Sequence, residues 1–349
     1  MDERERKAQW LACSLSPAYF ADRYVQIYNA SVKAWIPFSL WPAQLGVMQD
    51  LQQHQYVVML KARQLGMSWL CLTYALWLML FRPAATVLIM SKRDDEAVEL
   101  LQERLVKMYR ELPAWMQAKV VVRESAHDFV LSNGSRAKAF PTSGGRSYTA
   151  SFVLLDEADF LPDLSGTLNA LRPTVDAGGQ LVMISTVDKA LPQSPFKEIF
   201  RSAWYHNDGQ YKPIFLPWYA RPERTRAWYE AIAVDMFKQT GSQDNLWQEY
   251  PETVEQALAP LQLAKRIPFA WLEVCQEKDA KAVTGGGAPA VPGLTVWRVP
   301  VPGRLYIIGA DPAEGKPTSD DSAATVLEGE TREGGASCRG KGEPGGFGG

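Results

Sequence analysis

The stretch YVVMLKARQLGMSWLCLTYALWLMLF, residues 56–81, decides how the chain folds. YVVML is a short, continuous apolar run of the kind that forms a strand buried on both faces. KARQLGMS is a loop with two cations and one glycine. Residues 69–81 then stay apolar for longer than a strand needs, which predicts a buried core helix. TVLIM, residues 86–90, supplies the next strand and completes a strand-helix-strand unit. Alternation of this kind implies an α/β domain with a mainly parallel sheet.

Working outward, Ser91 is placed to cap an amphipathic helix in which Val98, Leu101, Leu105 and Met108 recur at three- and four-residue steps. Short β-like segments follow at residues 120–123, 129–132 and 136–140, with SNGS as a turn signal between the last two. FVLLD (152–156) and LVMIS (181–185) have the length and composition of central parallel strands, and ligands of such sheets bind beyond the strands' carboxyl ends. Beyond Leu258 the pattern changes. KAVTGGGAPAVPG, residues 281–293, is rich in glycine and proline and predicts a flexible connection. RLYIIGADPA (304–313) is a strand ending in a carboxylate, SAATVL (322–327) a candidate partner strand, and residues 328–349 are too glycine-rich and apolar-poor to bury a core. The expected division is 1–260 for the nucleotide-binding domain with its N-terminal helical segment, 261–300 for a linker, and 301–349 for the beginning of a second domain.

The chain has 349 residues, 46% hydrophobic and 22% charged, and a formal net charge of −2. It has enough apolar residues for a sizeable core but is no polycation, so nucleic acid would have to be met by a local basic surface. Cys13, Cys71, Cys275 and Cys338 are scattered without a CxxC pair, which gives no sign of a zinc site or a disulfide framework and fits a reducing cytoplasm. The 13 residues from 69 to 81 fall short of the roughly 20 a membrane helix needs, and MDERERKAQW is not a signal peptide. His54, His127 and His206 lie in unrelated contexts and suggest no ligand cluster.

Two segments carry chemistry together. A phosphate-binding loop needs backbone amides at a helix N-terminus, a cation and a hydroxyl for magnesium. Residues 61–68 offer Gly66 and Ser68 in that context but lack the usual first glycine, and Met67 occupies the usual lysine position. Lys61 or Arg63, at the start of the loop, is the available cation; the bland alternative is an ordinary basic turn. In LLDEAD an apolar strand delivers two consecutive carboxylates to the sheet edge, the Walker B arrangement. Asp156 would hold Mg2+ and Glu157 would orient and deprotonate the attacking water. The alternative is a helix N-terminus whose acids suit the dipole. Ser185 and Thr186 end the next strand as a polar pair able to sense a γ-phosphate. Gln44, in WPAQLGVMQDL, is either a reader of the adenine edge or a solvated helix glutamine. Arg146, in TSGGRSYTA, is a candidate arginine finger, worth about 10³–10⁵ in rate where one operates, or a plain surface arginine.

These residues together resemble the large terminase subunits of tailed phages and prophages, and the likeness runs over most of the chain. KARQLGMSW resembles that family's deviant Walker A, which brings Gln64 into the ATP-binding set with Lys61, Arg63, Gly66 and Ser68. LLDEADF resembles its Walker B with the catalytic glutamate, Ser185-Thr186 its coupling motif, and Gln44 its adenine-reading glutamine. QEYPETVEQAL, residues 248–258, resembles the segment that closes the motor domain, and GGRS places Arg146 near the proposed finger. The resemblance implies a RecA-like P-loop NTPase followed by the start of an RNase H-like nuclease domain. In that domain Asp311, with Asp320 or Asp321, would hold Mg2+ or Mn2+, in pairs about 3.5–4 Å apart.

The implied activity is ATP-driven movement of double-stranded DNA into a procapsid by a homo-oligomeric ring docked on the portal protein, with a small terminase subunit as a further partner and no membrane. The implied location is the host bacterial cytoplasm, transiently on the procapsid. Because the sequence stops after what resembles the nuclease's first hairpin, the expectation is that nuclease activity is lost. Two other readings stay open at this level. One is a DEAD-box-like helicase or translocase, which would need a second motor-like domain. The other is an inactive prophage remnant that only binds partners.

Overall fold

Why the apolar runs stack into one sheet is visible in the computed structural model, where each central strand divides its side chains between two cores. The structure describes residues 1–117, 120–140, 149–206, 209–261, 294–311, 322–331 and 333–340. They fall into two units, Met1–Lys265 and Arg266–Gly349.

The first unit opens with α1 (Glu3–Leu15) and α2 (Pro17–Tyr24). The start of α1 is fixed by reciprocal bonds, Glu5 N–H to Asp2 Oδ1 at 2.7 Å and Asp2 N–H to Glu5 Oε2 at 2.8 Å, which satisfy two otherwise orphan donors. A hairpin of β1 (Gln26–Asn29) and β2 (Ala34–Pro37) leads to α3 (Pro42–Gln53). Then come β3 (Tyr56–Lys61), α4 (Met67–Phe81), β4 (Thr86–Met90), α5 (Asp94–Glu99) and α6 (Lys107–Glu111), with a π-helical stretch, Leu100–Val106, joining the last two. The remaining elements are β5 (Val121–Ser125), β6 (Asp128–Leu131), β7 (Arg136–Phe140), β8 (Phe152–Asp156), α7 (Leu164–Asp176), β9 (Gln180–Ser185), α8 (Pro195–Arg201), β10 (Lys212–Leu216), α9 (Arg226–Thr240), α10 (Asp244–Glu249) and α11 (Val254–Leu258).

Eight strands form one sheet in the order β10-β3-β9-β8-β4-β7-β6-β5. The first six are parallel, and β6 and β5 add antiparallel at one edge. Val57, Met59, Val87, Ile89, Phe152, Leu154, Val182 and Ile184 point to the face packed by α4. Val58, Leu60, Leu88, Met90, Val153, Leu155, Leu181 and Met183 point to the other, with Phe196 and Phe200 of α8. Burial on both faces explains why these strands are unbroken apolar runs rather than alternating ones. The same reason applies to α4, which is apolar on nearly every side because it lies between the sheet and the N-terminal helices. Among the described residues no helix is long and apolar enough to cross a membrane.

The capping role expected of Ser91 is not what the structure shows. Helix α5 begins at Asp94 with Arg93 in the cap position, and the Ser91 hydroxyl donates instead to Glu96 at 3.0 Å. Three acids in the first turn, Asp94, Asp95 and Glu96, meet the positive end of the helix dipole in place of a hydroxyl cap. The expected stripe holds, with Leu101, Leu105 and Met108 buried and Val98 packed against them.

The second unit contains β11 (Leu294–Val296), β12 (Tyr306–Asp311), β13 (Ser322–Glu328) and β14 (Gly334–Gly340), in one antiparallel sheet ordered β11-β14-β13-β12. β11 therefore lies within the segment 261–300 read as a connection, and residues 262–293, with the Gly/Pro stretch, fall outside the described residues. The glycine-rich segment after Leu327 contributes β14, which pairs with both β13 and β11. Strand pairing uses backbone donors and acceptors that every glycine has, so an apolar-poor segment can fill a sheet position without building a core.

Candidate functional site

The carboxyl ends of β3, β8 and β9 open into a cleft of about 990 Å³ in the first unit. Lys61, Arg63, Gln64, Gly66 and Ser68 line it from one side and Asp156, Glu157 and Thr186 from another. Gln44 and Trp41 close a third side, joined by Arg221, Gln248 and Glu249.

The loop between β3 and α4 gets its shape from two left-handed residues, Gln64 (φ 60°) and Gly66 (φ 72°). Gly66 is the N-cap residue of α4 and offers no side-chain acceptor to the helix's first N–H groups. A 15-residue helix thus presents uncapped amides and the positive end of its dipole to the cleft, which is what an anion needs. A Cβ at Gly66 would lie 2.9 Å from Gln44 Nε2. Gly66→Ala is therefore expected to cost about 1–2 kcal/mol of stability from the left-handed backbone alone. It should also weaken nucleotide binding, because Gln44 must give way; urea titration and nucleotide binding by fluorescence check the two parts.

The structure separates the two candidate cations. Met67, in the usual lysine position, is buried in the core. Arg63 is committed: its guanidinium meets Glu249 at 2.8 Å, and its N–H donates to the Glu249 carbonyl, also at 2.8 Å. Glu249 raises the Arg63 pKa further above its ordinary value, against desolvation. Lys61 is buried at the end of β3 and lines the cleft, and its ammonium has no hydrogen-bond or ion-pair partner among the described residues.

Asp156 ends β8 in the buried interior and accepts the Glu157 N–H on Oδ1 at 3.0 Å. Glu157 is left-handed (φ 52°) though not a glycine, a conformation that costs energy and turns the chain sharply after the strand. Burial holds its carboxyl above the ordinary range, with Asp156 adding to the effect and Lys61, Arg63 and Lys92 opposing it.

Ser185 and Thr186 are not equivalent. Thr186 lines the cleft, whereas Ser185 is fully buried and accepts the Asp159 N–H on its hydroxyl at 3.1 Å. Asp159, the last residue of DEAD, is also turned away from the cleft. Its carboxylate accepts the Asp188 N–H at 2.6 Å, the Ser194 hydroxyl, and the ammonium of Lys197 at 2.5 Å. The Lys197–Asp159 side chains are 1% and 0% exposed. Gln44 is 1% exposed, so the solvated reading is overturned: Oε1 accepts the Trp41 N–H at 3.0 Å and Nε2 donates to the Leu65 carbonyl at 3.1 Å. Its amide thereby ties α3 to the loop between β3 and α4.

Arg146 lies outside the described residues, as do Asp320 and Asp321. Asp311 ends β12 in the second unit, exposed and opposite Ala323. Among the described residues no group of three or more His, Cys, Asp or Glu side chains could hold a metal. Sequence reasoning missed Lys92, Arg221, Gln248 and Glu249 at the cleft and Lys189 and Lys197 behind it. Gln248 and Glu249 open the segment read as closing the motor domain but had no place at the cleft in that reading, and Lys92, Arg221, Lys189 and Lys197 stand in no motif.

A mainly parallel sheet, with a left-handed loop and helix N-terminus after β3 and paired carboxylates at the end of β8, one strand beyond β9, defines an α/β fold with its cleft at the carboxyl ends of the strands. No protein-family model matches the chain. Among solved structures, the large terminase ATPase domain of Thermus phage P74-26 superposes with a TM-score of 0.50 and 21% identity, over 61% of this chain and 93% of that one. The large terminase of bacteriophage HK97 superposes with a TM-score of 0.56 and 13% identity, over 90% of this chain. The chain spans 64% of that protein's length. At these identities the likeness establishes the fold: the α/β architecture is that of phage large terminase ATPase domains.

Proposed function

We propose that the chain is an ATP-hydrolysing motor of the large terminase type, which moves double-stranded DNA into a procapsid. One observation carries the reading. The uncapped N-terminus of α4, the uncommitted Lys61, and Asp156 with Glu157 all meet in one cleft at the carboxyl ends of the central strands. The fold shared with the P74-26 and HK97 proteins supports the same assignment.

In this mechanism Lys61 and the first amides of α4 bind the phosphates of ATP. The donor set also fits Mg2+, since the Ser68 hydroxyl and the buried Asp156 carboxylate are hard oxygen ligands that both line the cleft. When bound, the ion would neutralise charge on the β- and γ-phosphates. Glu157 orients the attacking water and takes its proton, and a carboxyl held above the ordinary range is a stronger base than a solvated one. Thr186 senses the γ-phosphate from the end of β9. A portal protein, a small terminase subunit and a ring of copies of this chain are the partners the reading implies, and Arg146 as finger is an assignment on which it does not depend. A helicase reading has less support: it needs a second motor-like domain, and the described strands of the second unit form an antiparallel sheet.

The test is Mg2+-dependent ATP hydrolysis by the purified chain, with and without linear double-stranded DNA. Turnover stimulated by duplex is the expected result. Nucleotide that fails to bind at all, even with millimolar Mg2+, would remove the reading.

A further inference from the structure

The loop that follows β9 is anchored on both sides, and the second anchor reaches the end of the unit. On one side, behind the cleft, Asp188 N–H donates to Asp159, and the Lys197 ammonium donates to the Asp188 carbonyl at 2.9 Å. On the far side stands Lys189, three residues beyond Thr186 and only 2% exposed. Its ammonium donates to the carbonyls of Gln256 at 2.8 Å and Ala259 at 2.7 Å, at the C-terminal end of α11. It lies 5.5 Å from the centroid of the Trp247 ring, and the Lys189 N–H donates to Gln248 Oε1 at 3.1 Å. α11 is the last described element of the first unit, whose boundary falls at Lys265.

The strip that receives Lys189 is also held by the phosphate loop. Gln248 lines the cleft, and its neighbour Glu249 binds Arg63 through both side chain and backbone. The loop between β3 and α4 and the loop after β9 therefore both hold residues 248–259. Burying an ammonium here carries a cost that an apolar side chain of similar length would avoid. Burial pushes the Lys189 pKa down to about 8, with Asp244 opposing and Lys197 reinforcing the shift. Two carbonyl bonds to a helix C-terminus recover part of that cost, because those carbonyls have no partner within the helix.

We propose that Lys189 is a positioning residue that makes the position of α11 depend on the state of the cleft, so that events sensed at Thr186 are transmitted to the chain's exit from the first unit. The proposal rests on the reading of the cleft as an ATP site. Lys189 touches no substrate in it; it acts as a tie between the sensor loop and the closing segment. Lys189→Met removes the tie while keeping the length of the side chain, and Lys189→Arg restores a cation able to reach the same carbonyls.

The experiment is amide hydrogen exchange with and without Mg2+ and a slowly hydrolysed ATP analogue, read at two places. Residues 61–68 report nucleotide binding, and residues 253–259 report the tie. In the wild-type chain both regions should change, the second by several-fold. In Lys189→Met the first should still respond and the second should not, and Lys189→Arg should restore the second. If residues 253–259 do not respond in the wild type while 61–68 do, the proposal is overturned and the ATP reading stands. A response of residues 253–259 in Lys189→Met equal to that in the wild type overturns the proposal in the same way. If 61–68 do not respond in the wild type, the ATP reading fails and takes the proposal with it. Should Lys189→Met not fold, the wild type and Lys189→Arg decide the matter by the same two regions.

Discussion

Glu157→Gln is expected to lower ATP turnover by about 10²–10⁴-fold, the range lost with a positioned general base. The change keeps the shape of the side chain and so should leave nucleotide binding in place. The same residue sets the acid side of the pH profile. Because burial holds its carboxyl above the ordinary range, wild-type turnover should fall, as pH is lowered, earlier than an exposed glutamate would dictate. The stability consequence has the opposite sign to the catalytic one. A raised folded-state pKa favours folding below the unfolded pKa, and that contribution is lost as pH rises through the folded pKa. At neutral pH the ionised carboxylate is thus a burden on the fold, and Glu157→Gln should raise the melting temperature of the nucleotide-free chain. Turnover and thermal melting at pH 7 check both halves; a variant that keeps turnover, or loses both turnover and stability, would sink the assignment of Glu157 as base.

Lys197→Met should destabilise the first unit by about 3–5 kcal/mol, the cost of leaving a buried charge without its partner. The ammonium meets Asp159 at 2.5 Å with both side chains almost fully buried, and it also donates to the carbonyls of Asp188 and Leu191. Removing it strands the Asp159 carboxylate between the end of β8 and the loop after β9. Combining Lys197→Met with Asp159→Asn removes the unpaired charge and should recover part of the loss, because Asn keeps an acceptor for the Asp188 N–H. Urea midpoints measure each step. A single variant within about 0.5 kcal/mol of wild type, as for an ordinary surface substitution, would show that the pair does not hold this junction.

The contrast between these two residues shows what the sequence reveals. Glu157 is legible because it follows an apolar strand directly, and a strand delivers its next residue to the sheet edge whatever the rest of the chain does. Lys197 is not legible. It lies 38 residues from Asp159, on a helix with no motif, and only the path of the loop after β9 brings the two together. Gln44 falls between these cases. Its place near the site is readable by resemblance, but its engagement with Trp41 and Leu65 needs the packing of α3 against the loop. Ser91 defeats a local reading because a hydroxyl before a helix suits either a cap or a side-chain partner, and Glu96 decides between them.

The sequence by itself determined the α/β class, the central strands, the buried helix α4 and the positions of the glycine, hydroxyl and paired carboxylates. These follow from apolar periodicity and from chain neighbours, which are local properties of the polypeptide. Tertiary structure alone decided that Lys61 is uncommitted while Arg63 is paired, that Thr186 faces the cleft and Ser185 does not, and that Lys189 reaches the end of α11. Polar partners 26 to 186 residues apart meet only once burial of the two sheet faces has fixed the loops. Their pairing is set by the geometry of that burial, and no local pattern records it.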